Sequence, residues 1–484
     1  MVRLLIITAL AATSFAGEDD YYRIVTLPTP EGVAFEVGGL CVLPDGRVAA
    51  AIRKGEVWLV DNAYDELPAN LTFKRIASAL HEPLGLMVDG DDLLTAQRSE
   101  VTRLRDLDSD DAIDAYLTVA NGWGITGNYH EYAFGPKRDG QGRLWVMLNQ
   151  TLGKKDIPDD AWRGWGVTIG ESGKVIPMCA GMRSPCGLGT NAEGDMFFTD
   201  QQGNWVPAGS LHHAREGAFY GHVDSLKDMK RPESPLQHPG TIPAELPLPE
   251  AVKAVPALSV PAVWFPYRKM GMSATDIACD QTGGKFGPFV GQLFVGDFTM
   301  AQVNRVFLEK VDGAYQGACF PFRDGFQSAV VRMAWGADGS MFIGETNRGW
   351  NSTGRTSYGL ERLVWTGETP FEILSMSARP DGFTLRFTKP VDSKSAADRT
   401  SYRMSSYTFL YHQDYGSPEI DAQDLAITAA SVHDDQLGVD LVVKGLRAIY
   451  VHELHAPGLR DAEGTPLLHD AAYYTLNRIP SLKS

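Results

Sequence analysis

Three stretches of the chain hold side chains able to move a proton and steady a charge. "GNYHEYAFGP" places His130 and Glu131 ahead of a short apolar run, and "GMRSPCGLGT" sets Arg183 beside proline and glycine. "FFTDQQGNWVP" breaks off from an apolar run into Asp200, Gln201, Gln202 and Asn204. An imidazole titrates near neutrality and can serve as a general base. A guanidinium can stabilise a carboxylate, an anionic quinone or a developing oxyanion. His130 therefore reads as the proton acceptor of a catalytic pair and Arg183 as its electrostatic partner. Each has a structural alternative: Asp200 and Asn204 would close a turn, and Arg183 would pair with an acid on a neighbouring element. A second grouping, His130 with His213 and His222 from "LHHAREGAFYGH", offers ligands for a divalent metal, although its spacing matches no compact ligand motif. Asp297, Arg332, Glu345, Asn347 and Arg348 follow or flank later apolar runs. Trp123, Trp205 and Trp350, near the same breaks, would either stack on a sugar or pack within the fold.

Bringing these groups together requires a repeating scaffold, and the chain has one. Turn-then-strand units recur around Gly46, Gly90, Gly142, Gly194, Gly291 and Gly339, at spacings of 44, 52, 52, 97 and 48 residues. Each unit is a tight turn, a short apolar strand, a polar break and a further strand, which is the cadence of a four-stranded propeller blade. The expectation is an all-β chain: a six-bladed β-propeller over residues 24–366, followed at 367–484 by an Ig-like β-sandwich of alternating apolar and polar residues. Ring closure is expected from the early strand "YYRIVTL". The double-length gap holds residues 225–260 with seven prolines, read as a loop inserted between blades four and five and lying over one face. The tail is expected to contribute no site residue, its histidines His412, His452 and His455 being strand or surface residues.

Composition narrows the partners. Against 44 basic residues stand 60 acidic ones, a net charge of −16, with no Lys/Arg-rich run. Nucleic acid would be repelled by the average field, while a local basic pocket could still hold an anionic ligand. Residues 1–16 read as a signal peptide, with "LLIITALAA" followed by small residues ahead of cleavage after Ala16, so the protein is expected to be secreted or periplasmic. No later run approaches the roughly 20 apolar residues of a membrane span. Of the five cysteines, Cys179 and Cys186 are close enough in sequence to bridge and Cys279 could pair with Cys319, leaving Cys41. No Cys-x-x-Cys-His is present, so no covalent haem is expected and electrons would leave to a separate acceptor.

The motifs "GLCVLPDGRVAAAIRKGEVWLVD", "HEYAFGPKRDGQGRLWV", "GMRSPCGLGTNAEGDMFFTDQQGNW", "GAFYGH" and "VVRMAWGADGSMFIGETN" fall in the order seen in glucose/sorbosone dehydrogenases. The chain resembles that family of soluble six-bladed propellers, and most closely the secreted sorbosone-dehydrogenase-like proteins of planctomycetes and verrucomicrobia, often fused to a cytochrome c module. The resemblance implies pyrroloquinoline quinone (PQQ) with calcium as cofactors, a sugar or sugar-derived alcohol or aldehyde as substrate, and a separate cytochrome c as electron acceptor. It implies His130 as base, Arg183 and Arg332 facing the quinone together with Gln202, and Gln202 and Gly203 as calcium ligands. Ser184 stands where the family has asparagine, Asn204 replaces a proline, a lysine is missing near Thr299, and a pair of arginines is reduced to Arg332. Two other function classes remain open: a metal-dependent lyase or hydrolase of an acidic polysaccharide, and a carbohydrate-binding propeller without catalysis.

Overall fold

The computed structural model describes residues 16–65, 69–153 and 160–481. The expected signal peptide lies outside the described residues except for Ala16. The six turn glycines have φ between +69° and +91°, the left-handed region in which a Cβ is penalised. Each folds a blade's inner strand back onto its second strand. The inner strands are Val37–Val42, Met87–Asp89, Ala133–Arg138, Pro185–Thr190, Ala274–Cys279 and Val330–Trp335. The second strands are Val48–Ile52, Asp92–Ala96, Leu144–Leu148, Met196–Asp200, Leu293–Asp297 and Met341–Thr346, all buried along their length. Burial on both faces is what continuous apolar runs of this length require.

Five four-stranded sheets and a sixth four-stranded unit, which heads an eleven-stranded sheet, make the blades. The first strands of successive blades lie against their neighbours around the ring, blade six against blade one. Blade six is completed by Tyr22–Thr26 pairing antiparallel with Tyr358–Trp365, Tyr22 opposite Trp365. The early strand thus closes the ring as expected. Among the described residues no helix is long and apolar enough to cross a membrane.

The proline-rich segment sits elsewhere than expected. It lies within blade four, between its third strand Gly209–His213 and its fourth, Val263–Phe265. Its short strand Glu245–Pro247 pairs with Leu410–His412 of the tail. Prolines bar it from a central strand but not from this two-stranded ribbon.

The tail is a sandwich whose long strand Ile420–Val432 pairs first with Arg403–Thr408 and then with Gly438–Lys444, passing from one sheet to the other. It is not separable from the ring. Blade five's outer strand Ala314–Arg323 pairs with Ala471–Leu476, so the tail extends that blade. Tyr407, Phe409, Tyr411 and Tyr473 belong to the same apolar cluster as Trp264 and Leu248 of the propeller. A free ten-residue edge is a liability, and pairing at Gly317–Cys319 covers its middle.

All five cysteines are free thiols, so the expected bridges do not form. Cys179 lies on the outer strand of blade three and Cys186 on the inner strand of blade four; Cys279 and Cys319 lie on opposite margins of blade five. Short sequence separation does not bring two sulfur atoms together when one is on the outer edge of a blade and the other on the inner edge of the next.

Candidate functional site

A cavity of about 450 Å³ opens where the inner strands begin and the second strands end. In blades one, three, four, five and six the register of the inner strand shifts near its start. Such irregularities bend a strand and re-aim what precedes it. His130 and Arg183, each just ahead of an inner strand in consecutive blades, are thereby brought to one wall of the cavity.

His130 is buried, with Nδ1 2.8 Å from the carbonyl of Gln150 and Nε2 2.9 Å from Ser184 Oγ. A carbonyl only accepts, so Nδ1 carries the proton and Nε2 offers its lone pair to the Ser184 hydroxyl. Burial, with the nearby Arg183 guanidinium adding to it, lowers the His130 pKa to about 4 despite the Gln150 carbonyl. The ring is neutral at physiological pH. Arg183 Nη1 donates to the same Ser184 Oγ at 3.0 Å. Behind them Asp200 accepts the backbone N–H groups of Arg183, Ser184 and Gln201 at 2.7–2.9 Å, fixing the turn that carries the pair. Burial nevertheless pushes the Asp200 carboxyl up to about 6. Asp200 is the turn clamp of the structural alternative. Glu131, fully buried, accepts from Thr126 and Thr151 and serves the same kind of purpose.

The loop after Asp200 is occupied by the tail. The Gly203 carbonyl accepts Gly416 N–H at 3.1 Å, Asn204 Nδ2 donates to Gln413 O at 2.8 Å, and Gln202 Nε2 donates to Pro207 O at 3.1 Å. Gly203 leaves room for Arg183, since a Cβ would fall 2.0 Å from Arg183 Nε and the guanidinium would have to move aside. The Arg183 guanidinium continues over the ring of Tyr415, 5.1 Å from its centroid. Among the described residues no aspartate or glutamate lines the cavity. A calcium ion wants six to eight oxygen ligands, usually including carboxylates; Gln202 and Gly203 offer an amide and a backbone carbonyl oxygen, so by themselves they do not complete such a set.

Arg332 is likewise not a cavity residue. It is buried, donates to the carbonyls of Gly38 at 2.8 Å and Leu84 at 3.0 Å, and reaches those of Val331 and Cys186 at 2.6 and 3.3 Å. It thus ties together blades one, two, four and six, and its donors are spent on backbone. The alternative metal set is not assembled: His222 is buried close enough to feel the charges of Arg183 and His130, whereas His213 stacks on Phe197 and meets Tyr315 edge-on, near Asp195 and Lys310. The one group of metal-competent side chains among the described residues is Asp106, Asp108 and Asp114, on a loop away from the cavity. Trp123 and Trp205 pack, Trp123 giving its Nε1 proton to the Arg98 carbonyl and Trp205 lying on Tyr411, while Trp350 is exposed at the mouth.

Several residues at the mouth escape sequence reading. Glu82 binds Arg98 at 2.5 Å, and Arg348 and Arg53 as well. Burial raises its pKa, but Arg348 and Arg98 outweigh that and hold it below the usual range. Tyr132 lies between the Arg98 and Arg348 guanidiniums, at 4.7 and 4.6 Å. Of the three arginines in the lining, Arg53 and Arg348 are paired with Glu82, so Arg183, which hydrogen-bonds to the neutral Ser184 hydroxyl, is the cation best placed to meet an anionic or strongly polar ligand. Glu82 precedes the inner strand of blade two, as His130 does in blade three, and Arg98 follows its second strand, so the repeat phase could have found them; Tyr415, from the tail, left no such signal.

No family model matches the chain, and no curated protein matches it. Solved structures do. An oxidoreductase described as a glucose dehydrogenase from Thermus thermophilus is 15% identical with TM-score 0.51, covering 71% of this chain and all of that one. The PQQ-bound form of an aldose sugar dehydrogenase from Streptomyces coelicolor is 14% identical with TM-score 0.50, covering 71% of this chain and 98% of that one. A Trichoderma reesei carbohydrate-active enzyme of family AA12 is 12% identical with TM-score 0.50, covering 73% and 97%. What the chain shares with these proteins is the propeller fold.

Proposed function

We propose that the chain is an exported oxidoreductase that oxidises a sugar, or a sugar-derived alcohol or aldehyde, at the propeller mouth. The observation that carries this reading is His130: a buried neutral imidazole with its tautomer fixed by the Gln150 carbonyl and Nε2 directed at the Ser184 hydroxyl. The likeness in fold to glucose and aldose sugar dehydrogenases supports the substrate class. An acidic quinone of the PQQ type would meet Arg183 and Gln202 in the cavity wall. Such a quinone supplies the two-electron acceptor when bound; calcium has no supporting ligand set in this cavity.

The proton path belongs to the protein. A substrate hydroxyl at the cavity floor gives its proton to Nε2 of His130, with Ser184 Oγ, already hydrogen-bonded to that nitrogen, able to pass it on. A base with a pKa near 4 is too weak to deprotonate an alcohol in advance, so proton transfer must accompany loss of hydride from carbon. Arg183, 3.0 Å from Ser184 Oγ, steadies negative charge as it develops there. Electrons then pass to a separate acceptor, for which a cytochrome c is the natural class.

The test is to add PQQ to purified protein, with and without calcium, and follow dye reduction over a panel of aldoses and alditols. Quinone binding, read by absorbance titration, should accompany turnover. His130→Asn should lower turnover by about 100-fold or more while sugar affinity is kept, and the wild-type kcat/KM should rise through about pH 4 and stay level across pH 6.5. Tight sugar binding with no quinone uptake and no turnover would favour a non-catalytic carbohydrate-binding propeller instead.

A further inference from the structure

Four aromatic side chains are exposed among the described residues, and three of them ring the mouth of this single cavity: Tyr129, Trp350 and Tyr415, at 56%, 57% and 64% exposure. The fourth, Tyr116, has its hydroxyl engaged by the Ser78 amide on the side of blade two. We infer that the three form a collar that binds successive rings of a glycan chain, so that this protein prefers the end of an oligosaccharide to a free monosaccharide. The inference rests on the reading that the ligand is a carbohydrate.

The rings are exposed, but the backbones that carry them are held. Arg98 Nη2 donates to the Tyr129 carbonyl at 3.0 Å and its Nη1 to that of Asn128 at 3.3 Å. Trp350 N–H closes a turn onto Asn347 O at 2.6 Å. The Tyr415 loop is anchored on both sides, by Asn204 to Gln413 O and by Gly416 and Ser417 N–H to Gly203 and Pro207 carbonyls at 3.1 and 2.9 Å. Ordering has therefore been completed before any ligand arrives, which is what a preformed binding face requires. Loops placed this firmly would not leave three large apolar faces in water by accident of flexibility.

The geometry points to stacking rather than enclosure. Tyr129 and Trp350 have centroids 6.4 Å apart and planes inclined at 31°. A sugar ring between them would need two carbon contacts of about 3.5–4.0 Å each, more than that gap provides, so the pair presents one platform instead of a slot. Tyr415 stands apart on the tail beside blade four, with the Arg183 guanidinium over its ring. A pyranose has one predominantly C–H face and a rim of hydroxyls; that face removes aromatic surface from water while the rim reaches arginines and amides. The ring being oxidised sits at the floor near His130, whose centroid is 5.8 Å from that of Tyr129. Faces contributed by blade three, blade six and the tail are more than one sugar ring can cover, and further rings are what would use them. The tail is then a specificity element of the site.

Isothermal titration of the full chain separates the possibilities, with glucose, mannose and galacturonate compared with cellopentaose, mannopentaose and pentagalacturonate. At least one pentasaccharide should bind about tenfold more tightly than its own monosaccharide. Trp350→Ala and Tyr415→Ala should each reduce that ratio about fivefold or more, with melting temperatures near wild type because the removed rings are exposed. Leu107→Ala, at an equally exposed position away from the mouth, should leave the ratio unchanged. If no pentasaccharide binds more tightly than its monosaccharide, including the case in which neither binds, or if the ratio survives both substitutions, the collar is refuted. Because binding is read without turnover, a chain-length preference in a protein that oxidises nothing would refute the redox reading and keep the collar, and sugar oxidation without that preference would do the reverse.

Discussion

Ending the chain at Thr366 should abolish folding of the propeller, and the structure says by how much. The cut removes Tyr407, Phe409, Tyr411 and Tyr473, all at 5% exposure or less within the apolar cluster that also holds Trp264 and Leu248. At about 1.5–3 kcal/mol for each large side chain withdrawn from water, this is roughly 6–12 kcal/mol, comparable with the whole stability of a typical domain at about 5–15 kcal/mol. The cut also strands Arg305. That side chain is fully buried and donates Nη1 to Leu374 O at 2.9 Å and Nη2 to Ile373 O at 2.6 Å; without those carbonyls a buried cation keeps one hydrogen-bond acceptor, the Gln292 side chain, and the rings of Phe289 and Phe320. Blade five would further expose the Gly317–Cys319 edge that now pairs with Tyr473–Thr475. Circular-dichroism melting and size-exclusion chromatography of the truncated chain give the readout. Aggregation, or loss of a cooperative transition, is the expected result. A monomer melting cooperatively within about 5 °C of the full chain, a shift of only a few kcal/mol at most, would refute the account of the tail as part of the propeller's core.

Arg332→Met should lower stability by about 3–5 kcal/mol, because carbonyls of four blades lose a buried charged donor; an unchanged denaturation midpoint would show that the cross-link is not formed. Stability should fall on the acid side, since His130 and His213 are held down to about 4 and His212, His222 and His452 to about 3, whereas the unfolded chain binds those protons near 6.5. The unfolded state therefore takes up more protons as pH drops from about 6.5 toward 4, and His130 alone contributes about 3 kcal/mol to that loss. On the alkaline side His469, buried yet raised to about 10 by Glu372 and Glu18, keeps its proton when folded, so stability should decline from about pH 6.5 to 10 and His469→Gln should flatten that limb in urea titrations at pH 4.5, 6.5 and 9. Thiol titration of denatured, unreduced protein should count five free cysteines per chain; three or fewer would reveal a bridge.

Much of the scaffold was legible because its causes are local. A glycine forced to positive φ between two apolar runs announces a hairpin wherever it occurs, and six of them in phase announce blades. The same phase explains why His130 and Arg183 meet: both precede an inner strand, in adjacent repeats, so ring symmetry carries both to one mouth. The rest of the site depends on contacts for which the chain has no local signal. Arg332 looks like a site cation in sequence, but it lies where four blades converge and its donors satisfy their carbonyls. Cys179 and Cys186 are neighbours in sequence and are kept apart by belonging to different blades. Gly203 resembles a metal-binding residue until Gly416 occupies its carbonyl, and Asn204 finds Gln413, 209 residues away. Turn and strand formation is decided by each residue's own backbone preference and the pattern of its near neighbours. Whether a polar group is free to bind a ligand is decided by which distant segment packs against it, and that became defined only when the tail docked on blade four.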